Sequence, residues 1–242
     1  MVERSLLFGL TAAAMVAGTL PPAWLALKRS GSTRRYYAGL AGITGIAAVA
    51  YVVMALGLGS ITSDGTEVML PRYADWLLTT MLNIGLLAVL AGVPKGLRWR
   101  VVGLDAAVIL LGVAAAFAPA PFNFALVLAG LVPYTAMAYL LLGSVRAGAK
   151  ERGGMVAEVY GKLTNHVLVL WTFYPLVVLL APLGVGLLTR NTEVLIVSYL
   201  DVVSKVGFVG LALLGRRAFD DQITAGTAKS AVDRDAPSLA DD

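Results

Sequence analysis

The chain has 242 residues, of which 58% are hydrophobic and 14% charged, and its mean hydropathy is +0.80. Soluble domains carry about 25% charged residues and disordered chains more, so both classes are nearly excluded. The absence of cysteine removes disulfide frameworks, thiol catalysis and thiolate-held metals. The net charge of +4 matters here through its distribution, not its sum.

Seven apolar runs follow in chain order, at residues 6–27, 36–58, 70–91, 101–118, 122–142, 163–180 and 194–214. Each is long enough to cross the hydrocarbon layer as a helix, which takes roughly 20 residues. The first run has Glu3 and Arg4 in front, Pro21-Pro22 inside and Lys28-Arg29 behind, and reads as a retained helix rather than a cleaved peptide. Between the second and third runs, β-branched residues flank Asp64-Gly65, a hairpin signal. The expected fold is therefore an all-α membrane protein, a seven-transmembrane-helix bundle with a short β-hairpin between helices 2 and 3. Residues 1–215 form the membrane domain, and the polar, aspartate-rich stretch 216–242 reads as a disordered cytoplasmic tail.

Charge on alternate connectors sets the orientation, because short basic loops stay in the cytoplasm. The first, third and fifth connectors hold Lys28, Arg29, Arg34, Arg35, Lys95, Arg98, Arg100, Arg146, Lys150, Arg152 and Lys162, whereas the others hold Asp64, Glu67 and Arg190. The N-terminus is expected outside and the C-terminus in the cytoplasm of a multi-pass cell-membrane protein. No internal repeat is visible, which argues against an inverted-repeat transporter.

A charge at the bilayer centre costs about 2.5 to 3.5 kcal/mol on insertion scales, so each one needs a partner or a task. The candidates are Asp75, Asp105, Asp201 and Lys205, with Arg72 and Glu193 nearer the outer ends. Asp201 and Lys205 are spaced i, i+4, and Arg72 and Asp75 i, i+3, so each pair shares a helix face. Lys205 is the only lysine deep in an apolar run. Such an amine serves as a structural ion pair, a proton relay or a Schiff-base attachment point. Trp171 and Tyr174 lie one turn apart beside Pro175. They suit ordinary core packing or the wall of a flat apolar pocket for a conjugated ligand. The single histidine, His166, cannot make a metal site and reads as a surface or capping residue near the cytoplasmic end of helix 6.

The string Arg72-Tyr73-Ala74-Asp75-Trp76 with Thr79-Thr80, then Trp171 with Tyr174-Pro175, then Asp201 to Lys205, resembles the microbial rhodopsins of archaeal type over all seven spans. That resemblance implies a retinal photoprotein, not an enzyme, with Lys205 carrying the chromophore as a protonated Schiff base. Asp75 is then the primary counterion and proton acceptor, Asp201 the second carboxylate, and Arg72 stands beside them. The implied pocket comprises Tyr51, Trp76, Thr79, Thr80, Ile109, Gly112, Tyr134, Trp171, Tyr174, Pro175 and Ser204. In this family light isomerises the polyene, the proton moves to the aspartate, and helix motion follows.

Outward pumps of the family carry a carboxylate eleven residues after the counterion, where this chain has Leu86. A slow proton return suits a sensor whose active state lasts. Apolar Leu40 and the stretch 42–57 resemble the sensory rhodopsin II branch, which implies signalling to a two-helix membrane transducer along helices 6 and 7. Thr189 and Tyr199 match its contact positions, although Tyr199 is equally an interfacial anchor. Ser204 resembles the middle rhodopsin branch, and Met81 and Val178 replace a proline and a pocket tryptophan. Asp105 reads as a structural hydrogen bond to another helix. Glu193 matches a proton-release carboxylate, or else is an exposed helix-terminal residue. The expected partners are the lipid bilayer, the transducer and a homo-oligomer, with no nucleic acid. The alternative reading is a light-driven outward proton pump with slow turnover, and a third is a non-photic receptor or transporter with Lys205 in a plain ion pair.

Overall fold

The structure is a computed structural model that describes residues 2–63, 66–182, 184–218 and 220. Helix α1 (Val2–Lys28) runs through Pro21 and Pro22 without ending, as membrane helices tolerate. After a two-residue link, α2 (Gly31–Ala55) returns. Gly57 and Gly59, at φ of +72° and +77°, turn the chain where a side chain would be strained. The hairpin forms as expected, with β1 (Ser60–Ser63) antiparallel to β2 (Thr66–Met69) and Ile61 opposite Val68. Its predicted turn residues, Asp64 and Gly65, lie outside the described residues.

Helix α3 (Leu70–Ala91) starts directly at the strand end with Pro71 in its first turn, and Gly92 at φ +68° stops it. Proline there forfeits only a donor the helix leaves unused. Helix α4 covers Lys95–Phe117. The fifth span is α5 (Phe122–Leu140), a π-helical turn at Leu141–Val145 and α6 (Arg146–Glu151). Helices α7 (Gly154–Leu180) and α8 (Arg190–Leu214) complete the seven spans, each 22 to 30 residues long.

Two helices begin well before their apolar runs. Helix α4 starts at Lys95 and α7 at Gly154, because a helix continues past the hydrocarbon boundary while its backbone bonds remain satisfied. This moves His166 from the predicted helix end to the middle of α7. The π turn had no sequence signal. A π turn leaves a carbonyl without its helical donor, and the buried Tyr160 hydroxyl of α7 donates to Leu141 O at 2.7 Å.

Consecutive helices pack side by side, and α8 closes the ring against α1. Helices α3 and α8 lie deepest, with about half of their residues buried, while α5 and α7 show most of theirs to the outside. The outer surface is apolar, with Leu6, Leu10, Val49, Leu110, Val132 and Leu195 all exposed, and the buried charges Arg72, Asp75, Asp105, Asp201 and Lys205 face inward. That inversion belongs to a lipid-facing protein. Past Gly215 the chain is helical again at residues 216–218. The rest of the expected tail, 221–242, lies outside the described residues.

A buried lysine between two carboxylates

Lys205 lies in α8, one turn beyond Asp201, and α3 presents Asp75 opposite them. The Lys205 Nζ donates to Asp75 Oδ2 at 2.5 Å and stands 3.6 Å from Asp201 Oδ2. All three side chains are at most 3% exposed. Unpaired, a buried charge costs several kcal/mol, so the lysine is tenable only with these partners. Two anions against one cation leave an excess negative charge, and Arg72, one turn before Asp75 on α3, is buried as well.

The two carboxylates differ in their surroundings. Asp201 accepts from Tyr51 Oη at 2.6 Å, Tyr174 Oη at 2.6 Å and Trp76 Nε1 at 3.1 and 3.2 Å. Asp75 has only Lys205 on Oδ2, and its Oδ1 has no hydrogen-bond partner among the described residues. Three donors converge on Asp201. Asp75 therefore keeps one carboxylate oxygen without a donor among the described residues, where Asp201 has donors on both. The Arg72 Nε and Nη2 likewise find no acceptor among the described residues, and its guanidinium lies 5.9 Å from the Phe8 ring centroid.

Lys205 opens onto a largely apolar cavity between α3, α4, α5, α7 and α8, with roughly 1,070 Å³ of non-atom space counted out to its open mouth. Trp76, Thr80, Ile109, Gly112, Tyr134, Trp171, Tyr174, Pro175 and Ser204 line it. Trp76 and Tyr174 meet edge to face, with ring centroids 5.2 Å apart. Tyr134 Oη donates to Leu168 O at 2.9 Å, joining α5 to α7. A Cβ on Gly112 would meet nothing within 4 Å, so the wall is open there. A long apolar carbonyl compound fits this arrangement: the amine is at one end, rings lie along the walls, and Asp75 has an oxygen to spare.

Two predicted pocket residues stand elsewhere. Tyr51 and Thr79 do not line the cavity; Tyr51 supports Asp201 from behind, and Thr79 Oγ1 donates to the Asp75 main-chain oxygen at 2.8 Å. Shared helix faces give direction but not depth, which explains the difference. Asp105 behaves as expected, accepting from Thr80 Oγ1 at 2.7 Å between α4 and α3, yet it also lines the cavity. His166 is neither a cap nor a surface residue: its Nε2 lies 3.0 Å from the main-chain oxygen of Ser204, beside Lys205. Tyr73 and Asn83 line the cavity unforeseen. Asn83 had a signal, a lone amide in a leucine-rich run, which a search for ionisable groups passes over.

The outer candidates lie apart from this centre. Glu193, far from exposed at 12% of its side chain, is gripped by Arg190 Nη1 at 2.9 and 2.8 Å. Thr189 caps α8, its hydroxyl oxygen accepting from Thr192 N at 3.2 Å, and Tyr199 is 68% exposed on the outer surface.

Seven apolar helices enclosing a carboxylate-bound lysine beside an apolar cavity define a multi-pass membrane bundle with a buried ionic centre. The family description "bacteriorhodopsin-like protein" matches residues 3–219, and the chain belongs to that family. Its relatives include sensory rhodopsin-2 of Natronomonas pharaonis, 41% identical over 241 residues and covering 100% of both chains. Sensory rhodopsin-2 of Haloarcula vallismortis is 46% identical over 183 residues, covering 75% of this chain and 78% of that one. Among solved structures, the thermophilic rhodopsin of Rubrobacter xylanophilus superposes with a TM-score of 0.85 at 34% identity, covering 90% and 98% of the two chains. Family membership implies a retinal chromophore in a multi-pass membrane protein, and the sensory relatives are photoreceptors rather than enzymes.

Proposed function

We propose that the chain is a retinal photoreceptor of the sensory kind, in which Lys205 holds retinal through a Schiff base and Asp75 takes its proton after illumination. When bound, retinal supplies visible absorption and a light-driven isomerisation that no side chain can perform. The protein supplies orientation and electrostatics. Asp201, fixed by Tyr51, Trp76 and Tyr174, remains the standing counter-charge. Asp75 Oδ2, in contact with Lys205 Nζ, is the acceptor, and Arg72 balances the second carboxylate. Trp76, Thr80, Ile109, Gly112, Tyr134, Trp171, Tyr174, Pro175 and Ser204 hold the polyene, with Tyr51 and Thr79 behind the carboxylates.

One observation carries the sensory reading: Leu86, Leu87, Ala88 and Leu90, on the inner side of the cavity, are all buried and apolar. No group on that part of α3 can return a proton to Lys205, so the activated state is long-lived. Helix motion during that interval is read by a two-helix membrane transducer along α7 and α8, with Thr189 and Tyr199 in contact. The basic connectors support a cytoplasmic C-terminus and an outside N-terminus, with residues 1–215 as the photoreceptive domain and 216–242 as its cytoplasmic tail in this reading. A homo-oligomer is compatible with this surface.

Adding all-trans retinal to the apoprotein gives a visible pigment, and Lys205→Ala gives none; a pigment in that variant overturns the attachment. A slow cycle that azide accelerates, without sustained outward proton flux from vesicles, supports the sensor. Fast turnover with sustained flux establishes instead the outward pump, which the free oxygen of Asp75 and the nearby Arg72 favour.

A further inference from the structure

We propose that the groove between the terminal turns of α1 and α8 seats one phospholipid with an anionic headgroup. Leu20, Pro21, Trp24, Leu25, Leu213 and Arg216 line it. Helices α1 and α8 are the first and seventh crossings and finish on the same side of the bilayer, so Lys28, the last residue of α1, and Arg216, two residues past the end of α8, stand at one membrane boundary.

Three observations make the groove more than an ordinary apolar face. Trp24 is 55% exposed and Leu20 64% exposed, so an aromatic ring and an aliphatic wall are open to lipid at interface depth, where tryptophan is favoured. The Lys28 ammonium sits 4.1 Å from the centroid of the Trp24 ring, which fixes that cation at the groove. The ion pairs of the described residues include neither Lys28 nor Arg216, although the adjacent Arg29 is bound to Asp220 at 2.9 Å. Among the described residues, Arg29 is thus ion-paired, whereas Lys28 and Arg216 enter no ion pair.

An apolar trough with two such cations at its rim matches a lipid: acyl chains along Leu20, Pro21, Leu25 and Leu213, and the phosphate between Lys28 and Arg216. Anionic headgroups gain about 1 kcal/mol per basic residue at a membrane surface. A second copy of this chain offers the opposite, since its own Lys28 and Arg216 would meet like charges. The occupant is therefore a lipid.

Native mass spectrometry of the full chain in detergent, titrated separately with dioleoyl phosphatidylglycerol and dioleoyl phosphatidylcholine, tests this. One phosphatidylglycerol is retained about thirtyfold more readily than phosphatidylcholine, and inorganic phosphate does not displace it. The Lys28→Gln/Arg216→Gln double variant loses the preference while keeping its helical circular dichroism, and Lys28→Arg/Arg216→Lys restores it. Equal retention of the two lipids, or an unchanged preference in the glutamine variant, overturns the site. So does displacement by free phosphate, or a dimer that the glutamine variant dissolves in place of a retained lipid.

Discussion

The two halves of the bundle on either side of Lys205 are built from different chemistry. Toward the hairpin lie Arg72, Asp75, Tyr51, Ser198 and Asp201, all buried and polar. Toward the opposite face lie Leu86, Leu87, Ala88, Leu163, Val167 and Val209, all buried and apolar. Leu86 is eleven residues past Asp75, about 16 Å along the helix axis, so a largely apolar slab, with Asn83 and Thr164 as buried polar side chains within it, separates Lys205 from that face. On the proposed reading, proton exchange is easier on the hairpin side of the lysine than on the other, and that asymmetry suits a sensor.

The strongest way to break the comparison is to remove its centre. Lys205→Ala leaves Asp75 and Asp201 buried without their cation, and abolishes pigment formation completely, as absorption spectra after retinal addition show. Next, Leu86→Asp installs a carboxylic acid in the apolar half. General acid catalysis contributes roughly a hundredfold or more, so flash photolysis shows recovery faster by about that factor and insensitive to azide. Unchanged recovery in that variant means that some other step holds the active state, and the slab then loses its role.

The polar half is sharpened by comparing its two carboxylates. Asp75→Asn removes the anion nearer the amine, moves absorption to longer wavelength and eliminates the early proton transfer. Asp201→Asn, at 3.6 Å instead of 2.5 Å, produces a smaller colour shift and leaves that transfer in place. Equal effects would make the two carboxylates interchangeable, contrary to their unequal hydrogen bonding.

The sequence makes the charged half of this picture legible and the neutral half much less so. Asp75, Asp201 and Lys205 stand out because the bilayer penalises charge, and their i, i+4 and i, i+3 spacings place them on common faces. Seven helices and the hairpin follow from runs of 18 or more apolar residues and one Asp-Gly turn. Depth within the bundle is not written in periodicity, so Tyr51 and Thr79 read as pocket walls although they stand behind the carboxylates. Asn83 carries no charge and passes unnoticed until its neighbours are known. The π turn at Leu141–Val145 depends on Tyr160 reaching across from α7, a tertiary contact that local sequence does not encode. His166 is misplaced because α7 begins nine residues before its apolar run, which turns an apparent helix end into a helix middle.

The smallest effect tests how far the polar half extends outward. Arg190 grips Glu193 with Nη1 and donates from Nη2 to Glu67 O at 2.6 Å, while Arg4 bonds Glu67 Oε2 at 3.1 Å and Asn191 Oδ1 at 2.7 Å. These contacts tie the start of α1, the hairpin and the start of α8 together. The pairs are partly exposed, where such interactions contribute about 0.2 to 1 kcal/mol each. Arg190→Gln is therefore expected to lower Tm by about 2 to 4 °C, and Arg4→Gln by less. Arg190 is eleven residues from Asp201, about 16 Å along α8, so the colour should not change. If Glu193 belongs to the proton path, freeing it from Arg190 alters the time of proton appearance outside, measured with a pH dye. If that time stays constant while Tm falls, the Arg190 clamp is structural, and the polar half ends at Arg72.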